Sequence, residues 1–461
     1  MSVLFLLVLS SPPSAAGAEQ ETGAGAPASP AVMEQAGVQG LLSSREALFL
    51  GNSLIAQGRL DEAAELYQQL TISIEPAVRI EAAFQLAHIR LNQGNVRQAI
   101  QLFLEILDRD PTLTRVRLDL ARAYFLDKNY EDATFQFELV KGGDLPPEVQ
   151  ANVDLFLDAI RHQKTWTIDF ALSPVLDSNI NQVSGGREEC IDTAFGTLCR
   201  PLDEQASGAG INGAVTVNHF WRFHQDWGLR STVSAYAVAY EEEEYNDYIL
   251  YAAMGPRYLW DNGEASLQPT FFKRWIGEQS YQDQYGLRFE TRQNFNRLIL
   301  SASAGIAFPK YSDSYVHSVL KGEVWDAFIQ ARYILTDRTF IQAGLGFEQE
   351  NTKVNAYGNN NWRYSLGVYQ ILPYGFSLFA EGSLTATRYH ASRWFITKDN
   401  RIDEAVRKDK TWQFSTTLSS NVFDKWNLTP MLGFTYTERE SNMWTNEYDR
   451  SRITFLLNYR F

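Results

Sequence analysis

The spacing of apolar positions along the chain changes once, near residue 165. Before that point, from about residue 44 to residue 163, apolar side chains return roughly every three to four positions, the period of an amphipathic helix. From Trp166 onward the period is two. Ile453, Phe455, Leu457, Tyr459 and Phe461 alternate with Thr454, Asn458 and Arg460, with Leu456 as the exception. Leu298, Leu300, Ala302, Ala304, Ile306 and Phe308 alternate with Ser301, Ser303 and Gly305. Ile341, Ala343, Leu345 and Phe347 alternate with Gln342, Gly344, Gly346 and Glu348, and Leu428, Pro430, Leu432, Phe434 and Tyr436 with Thr429, Gly433 and Thr435. A two-residue period with one apolar and one polar face predicts strands. About fourteen are expected: 166–173, 209–220, 227–240, 247–260, 264–275, 282–294, 297–309, 322–335, 339–351, 361–372, 376–389, 410–422, 427–440 and 448–461.

The helical half repeats itself. Gly58, Ala63 and Tyr67 find counterparts thirty-six residues later in Gly94, Ala99 and Phe103, and a further thirty-four residues on in Lys128, Ala133 and Phe137. A small residue lets two antiparallel helices approach, and an aromatic four positions later lies on the same helical face and fills the groove beside it. The pattern resembles the tetratricopeptide repeat (TPR) in three copies, at 44–76, 80–112 and 114–142. Asp110-Pro111 closes the second copy, as a helix-breaking Pro does. Lys128 stands where Gly is usual, so the third turn is expected to differ. Pro146-Pro147 followed by 148–163 reads as a terminal capping helix. Arrays of this kind present the first helix of each repeat to partners. Here that puts Asn52, His88 and Arg122 at one groove position and Arg45, Glu81 and Arg115 at another, as candidate partner-binding residues.

Composition sharpens this division. The 461 residues carry 41 Lys and Arg against 55 Asp and Glu, a formal charge of −14. That balance opposes sequence-independent nucleic-acid binding, which needs excess cation to neutralise phosphate. Mean hydropathy is −0.28, and after the N-terminus no run approaches the roughly 18 apolar residues of a membrane-spanning helix. Yet 13% of residues are aromatic, and the distribution is lopsided: all 11 Trp lie at or beyond Trp166, and only Tyr67, Tyr124 and Tyr130 precede it among 22 Tyr. At the N-terminus, residues 3–9 form a short apolar core and Ala16-x-Ala18 fits a signal-peptidase site. Residues 1–18 are therefore read as an export signal, although no Lys or Arg precedes the apolar core, and 19–43, rich in Ala, Gly, Pro and Ser, as a flexible linker. The two cysteines, Cys190 and Cys199, then read as one local disulfide in an exported chain, with a stabilisation of about 2–3 kcal/mol by loop closure. A metal site would need further ligands, and no His lies between His162 and His219.

Alternation alone would also suit a soluble sandwich. Four features favour a transmembrane barrel. The strands run to about 10–14 residues, against about 5–6 in globular sheets, and ten tilted residues span roughly the 25 Å apolar band of an outer-membrane barrel. Short turns (261–263, 336–338, 373–375, Asp424-Lys425) alternate with longer polar loops (177–207, 310–321, 390–409). Trp221, Trp227, Trp260, Trp275, Trp426 and Trp444 fall near strand ends, where an interfacial aromatic belt belongs. Tyr459 and Phe461 close the last strand in a pattern similar to the recognition signal for outer-membrane barrel assembly. The fold class is thus an α-helical TPR solenoid (44–163) followed by a transmembrane antiparallel β-barrel of about fourteen strands (164–461).

No enzymatic constellation stands out. The six His are scattered without HExxH spacing, and neither a G-x-S-x-G elbow nor a phosphate loop occurs, so no catalytic residue, metal or cofactor is assigned. Export signal, three repeats and barrel together resemble the surface lipoprotein assembly modulator (Slam, DUF560) family. The most specific local element is Ser173-Pro174 leading to Asp177, Ser178, Asn179, Ile180, Asn181 and Gln182, which is similar to the family's signature at the start of the barrel. The resemblance implies an outer-membrane protein with periplasmic repeats that receive a surface lipoprotein or secreted client, and a barrel that acts as conduit. It further implies the barrel assembly machinery and outer-membrane lipid as partners, with periplasmic chaperones as additional candidates. Two alternatives are a polysaccharide export porin with a periplasmic TPR domain and a passive outer-membrane channel.

Overall fold

The computed structural model describes residues 43–186, 188–421 and 428–460. The export signal, the linker up to residue 42, the turn at Asp424-Lys425, Trp426 and Phe461 lie outside the described residues. The chain forms two compact units: among the described residues the first takes those up to Val140 together with Pro373–Gly375 and Leu428, and the second takes the rest from Lys141 onward.

The first unit consists of three helix pairs: α1 (Ser44–Ala56) with α2 (Leu60–Leu70), α3 (Pro76–Asn92) with α4 (Val96–Arg109), and α5 (Thr114–Leu126) with α6 (Tyr130–Val140). Ser43 and Glu46 open α1 with a capping box. The Ser43 amide donates to Glu46 Oε2 at 2.7 Å and the Glu46 amide to Ser43 Oγ at 3.3 Å, which satisfies two otherwise orphaned helix-terminal donors. Ala63, Ala99 and Ala133 are wholly buried, as are Tyr67, Phe103 and Phe137. Ala63 and Tyr67 share one core with Leu54 of α1 and with Ala82, Leu86 and Ile89 of α3, so the pair joins its own helix pair to the next. The packing is tight enough that a Cβ on Gly51 would lie 2.5 Å from the Tyr67 ring.

Gly58 and Gly94 end α1 and α3 in left-handed backbone, with φ of 75° and 81°. Lys128 does the same at 62°. The third turn, expected to differ, repeats the other two. Gly58, Gly94 and Lys128 donate to Ile55, Leu91 and Phe125 carbonyls, and Arg59, Asn95 and Asn129 to Leu54, Arg90 and Tyr124 carbonyls. The backbone bonds at the helix end specify the turn, and Lys tolerates the conformation at a local cost.

The second unit begins with α7 (Pro147–Gln163), the helix read as a cap on the repeats. Its preceding segment is tied to a barrel turn: Arg297 donates to the Gly143 carbonyl at 3.1 Å, and a Cβ on Gly142 would collide with the Thr336 carbonyl. Lys141, almost fully buried, is held by Asp154 of α7 at 2.5 Å.

The barrel strands are β1 (Trp166–Asp177), β4 (Gly208–Arg222), β5 (Trp227–Tyr240), β6 (Asp247–Trp260), β7 (Gly263–Ile276), β8 (Gln279–Phe295), β9 (Leu298–Tyr311), β10 (Gly322–Thr336), β11 (Thr339–Thr352), β12 (Asn359–Ile371), β13 (Phe376–Ile396), β14 (Ile402–Ser420), β15 (Leu428–Ser441) and β16 (Tyr448–Arg460). Each pairs with the next in sequence, and β1 pairs with both β4 and β16, which closes the sheet. The alternation appears as two faces. Tyr285, Leu287 and Phe289 on β8, Trp362, Tyr364, Leu366 and Val368 on β12, and Ile453, Phe455 and Leu457 on β16 are all exposed on the outside. So large an apolar exterior on a closed sheet is what contact with lipid requires.

Three segments differ from expectation. The first loop contains a two-stranded hairpin, β2 (Glu188–Thr193) and β3 (Gly196–Pro201). The 310–321 loop contains a short helix, α8 (Ser314–Leu320), whose Asp313 cap accepts from the Val316 amide at 2.8 Å. The 390–409 stretch is largely strand: β13 and β14 continue past an irregularity at Arg388–Ser392 to the pair Ile396↔Ile402. Beyond the apolar band both strand faces are wet, so pairing there leaves no alternation to read. β1 likewise runs on through Pro174 to Asp177, four residues past its expected end. Trp444, expected in the aromatic belt, lies in a loop turn and donates its indole N–H to the Ile396 carbonyl at 2.9 Å.

Candidate functional site

In the first unit, the first helices of the second and third repeats bring together three of the six groove residues. His88 on α3 sets its ring edge-on to Phe84, with centroids 4.6 Å apart, and 5.7 Å from Phe103. Arg115 on α5 places its guanidinium 5.1 Å above the Phe84 ring. Arg122, about two turns further along α5, donates to Asp119 Oδ1 at 3.1 Å, while His88 Nε2 lies 3.4 Å from Asp119 Oδ2. Asp119 is buried, so its carboxylate orients both basic side chains. The result is a patch in which His88 and Arg115 cover a buried ring and His88 and Arg122 flank a buried carboxylate, so that what reaches the surface is basic.

The other three residues do not join it. Asn52 accepts from the Tyr67 hydroxyl at 2.9 Å. Glu81 accepts from Gln85 at 2.8 Å, and its carboxylate, after burial itself, helps push the Tyr67 phenol up to about 12. Arg45 is exposed on the first turn of α1. Asp119 and Phe84 were not singled out in the sequence. Their signal was the same-face spacing, Asp119 three before Arg122 and Phe84 four before His88.

In the second unit, the segment similar to the family signature forms a knot at the end of β1. Asp177 is almost wholly buried. It accepts from Arg450 Nε at 2.9 Å and 3.0 Å, from the Tyr240 hydroxyl at 3.0 Å and from the Asn179 amide at 3.1 Å, and Arg452 Nε lies 3.4 Å away. Ser178 and Ser451 exchange bonds, amide to carbonyl at 3.1 Å and amide to Oγ at 2.8 Å. Asn179 donates to the Val183 and Asp449 carbonyls, each at 3.0 Å, and accepts from the Val183 amide. Asn181 bonds the Glu204 carbonyl and the Ala206 amide. The segment thus ties β1 to β16, to β5 and to its own loop. These residues act by holding backbone and cations, and every one has a partner.

Cys190 and Cys199 face each other across β2 and β3, with Cα atoms 4.0 Å apart, and are disulfide-bonded. Phe195 at the hairpin tip is fully exposed. Tyr459 pairs with Phe170 of β1 through the backbone register.

The barrel interior carries charge in opposed pairs. On the face of β8 opposite Leu287 and Phe289, Arg288 donates to Glu290 at 3.0 Å and lies 3.3 Å from Asp326 of β10, while Arg230 of β5 reaches Glu290 at 2.8 Å. Interleaved charges of both signs give a polar lining without a strong preference for ions of one sign.

Three family profiles match the chain. One described as surface lipoprotein assembly modifier matches residues 166–461. One described as the N-terminal TPR repeats of surface lipoprotein assembly modifiers matches 65–137, and the general tetratricopeptide repeat matches 47–78. The chain is 24% identical over 420 residues to surface lipoprotein assembly modifier 2 of Haemophilus influenzae, covering 88% of this chain and 81% of that one. It is 24% identical over 388 residues to surface lipoprotein assembly modifier 1 of Neisseria meningitidis serogroup B, covering 80% and 73%. It is also 24% identical over 402 residues to the surface lipoprotein assembly modifier of Moraxella catarrhalis, covering 84% and 74%.

Proposed function

The chain belongs to the surface lipoprotein assembly modifier family, and from that premise we propose that it delivers lipoproteins, or related soluble clients, to the bacterial cell surface. The observation that carries this reading is the match of the family's barrel profile across the whole closed sheet, joined to the family's own repeats. The barrel sits in the outer membrane, and in this reading the helical repeats work in the periplasm.

In this reading the first-helix face of the repeats receives the client. The gathering of His88 and Arg115 at Phe84 and of Arg122 at Asp119 supports it, since such a basic patch suits an acidic polypeptide segment. Asn52, Glu81 and Arg45 extend the same face towards the first repeat. The barrel serves as conduit, and its paired interior charges suit the passage of a polar chain. The outer membrane offers no nucleotide triphosphate, so direction comes from folding or binding of the client outside. Tyr459 and Phe461 are proposed as the signal read by the barrel assembly machinery, and periplasmic chaperones as carriers of the client. The family is one of assembly and transport, and no catalytic step is assigned to the chain. Polysaccharide export and passive conduction are not favoured.

Co-purification of the full chain from native membranes, followed by mass spectrometry, tests this. Lipoproteins should be enriched with the intact chain and reduced about tenfold by the combined substitutions Arg115→Ala and Arg122→Ala, as loss of paired cation contacts at an interface produces. Preparations that enrich no lipoprotein would count against the reading.

A further inference from the structure

A lipid-anchored client poses two demands that a closed wall cannot meet together. Its polar polypeptide needs a wet path, whereas its acyl chains need continuous apolar surroundings. Both can travel only if the wall parts along one strand pair, so that the polypeptide stays in the lumen and the anchor passes in lipid. We propose that the β1–β16 seam is this lateral exit, with Asp177, Arg450 and Arg452 as the latch that keeps it shut. The inference rests on the delivery reading above and adds the place and the chemistry of release.

The seam differs from the wall beside it. On its β4 side β1 is paired without a break at twelve positions, from Trp166↔His219 to Asp177↔Gly208. On its β16 side the described residues pair at seven, Asp169 to Leu172 and Val175 to Asp177, and the ladder lapses at Ser173 and Pro174. Proline has no N–H to donate. A similar lapse occurs between β6 and β7, around Pro256 and Pro269, but there it is flanked by seven and four paired positions. Above Pro174 the seam retains three, Val175↔Thr454, Leu176↔Ile453 and Asp177↔Arg452.

Side chains take over where the ladder thins. Asp177 grips Arg450 through Nε at both carboxylate oxygens and has Arg452 3.4 Å away, and Ser178 and Asn179 bond the Ser451 and Asp449 backbone. β1 starts at the short-turn end and Asp177 is its last residue, so the latch stands at the outer rim, next to the leaflet that receives the anchor. On the outer face at this height, Leu172, Leu176, Ile453 and Phe455 are exposed, an apolar border along which acyl chains can lie. Side-chain bonds among ions can be exchanged one at a time, whereas a full ladder must break cooperatively.

The test locks the seam. The full chain carrying Ala171→Cys with Asn458→Cys joins β1 to β16, and Ala171→Cys with Ala214→Cys joins β1 to β4, both at directly paired positions. The probe is the lipoprotein that co-purifies with the unsubstituted chain, carrying an epitope tag and scored at the cell surface by protease shaving. Expected is loss of display with the oxidised seam lock, recovery on reduction, and normal display with the β1–β4 lock. Normal display with both locks would overturn the lateral exit and leave delivery standing. Loss with both would overturn it too, because stiffness of β1 rather than the seam would then matter. Absence of display with the unsubstituted chain would instead sink the delivery reading itself. As a second measurement free of any client, Asp177→Asn should speed amide exchange at 175–177 and 452–454 and leave β10 and β11 unchanged. Equal exchange in the two proteins would overturn the latch.

Discussion

At the scale of single residues, the left-handed turns of the repeats isolate one physical variable. Gly58 and Gly94 have open space where a Cβ would stand, so a side chain there meets only backbone strain. Gly94→Ala should therefore destabilise the helical unit by about 1 kcal/mol, the cost of left-handed backbone for an L-residue. Lys128→Gly removes that strain and should stabilise in the opposite sense, by less, because Gly also loosens the unfolded chain. Urea unfolding of the full chain, followed by far-ultraviolet circular dichroism, checks both. Tyr67 supplies a pH dependence. Its phenol, ordinarily near 10, is held up to about 12 by burial and by Glu81. Below pH 10 it is neutral folded and unfolded, so its contribution is intact. Between 10 and about 12 only the unfolded chain ionises, so stability falls as pH rises through that window. Tyr67→Phe should flatten the fall, read as the midpoint of alkaline unfolding. Residue identity also limited what could be foreseen. Asp177 stood out beside Ser178 and Asn179, but its partners Arg450 and Arg452 lie more than 270 positions away. Nothing local announces that pairing, whereas His88 and Phe84 meet because four positions is one helical turn.

At the scale of elements, legibility followed the membrane. Where strands cross the apolar band, one face must be apolar and the other polar, and the alternation placed 227–240 and 247–260 at their observed bounds. Outside the band that requirement lapses, and β2, β3, the outer parts of β13 and β14, and α8 were all hidden in polar sequence. The β2–β3 hairpin is the clearest of these. It is tied back by the Asp192 amide donating to the Asn400 carbonyl at 2.9 Å, and closed by the Cys190–Cys199 disulfide. Replacing both cysteines with Ser should loosen the hairpin locally by about 2–3 kcal/mol of lost loop constraint, while the barrel stays assembled. Limited chymotrypsin digestion should then cut sooner after Phe195, which is fully exposed at the hairpin tip. The barrel's heat-modifiable mobility on a gel should stay the same. Unchanged cleavage would mean that the bonds to the β13–β14 turn hold the hairpin alone. The helical repeats were legible for a different reason. Small–aromatic pairs such as Ala99 with Phe103 are local packing rules, repeated three times, and all three sets are fully buried.

At the scale of the whole molecule, two averages mislead until the chain is divided. A mean hydropathy of −0.28 and the absence, among described residues, of any helix apolar enough to cross a membrane belong to a chain whose strands carry their apolar half outward. The aromatic excess lies almost wholly in the barrel half. Fourteen barrel strands, an even number, bring both barrel termini to one end of the barrel. A helical repeat region and a closed outer-membrane barrel are the parts that the proposed surface delivery needs. The claim is tested most directly by shaving whole cells with protease in three strains: one with the chain, one without it, and one expressing it without residues 44–140. The account predicts that the client lipoprotein is cleaved only in the first, with its cellular amount preserved in the other two. Equal cleavage in all three strains would contradict it.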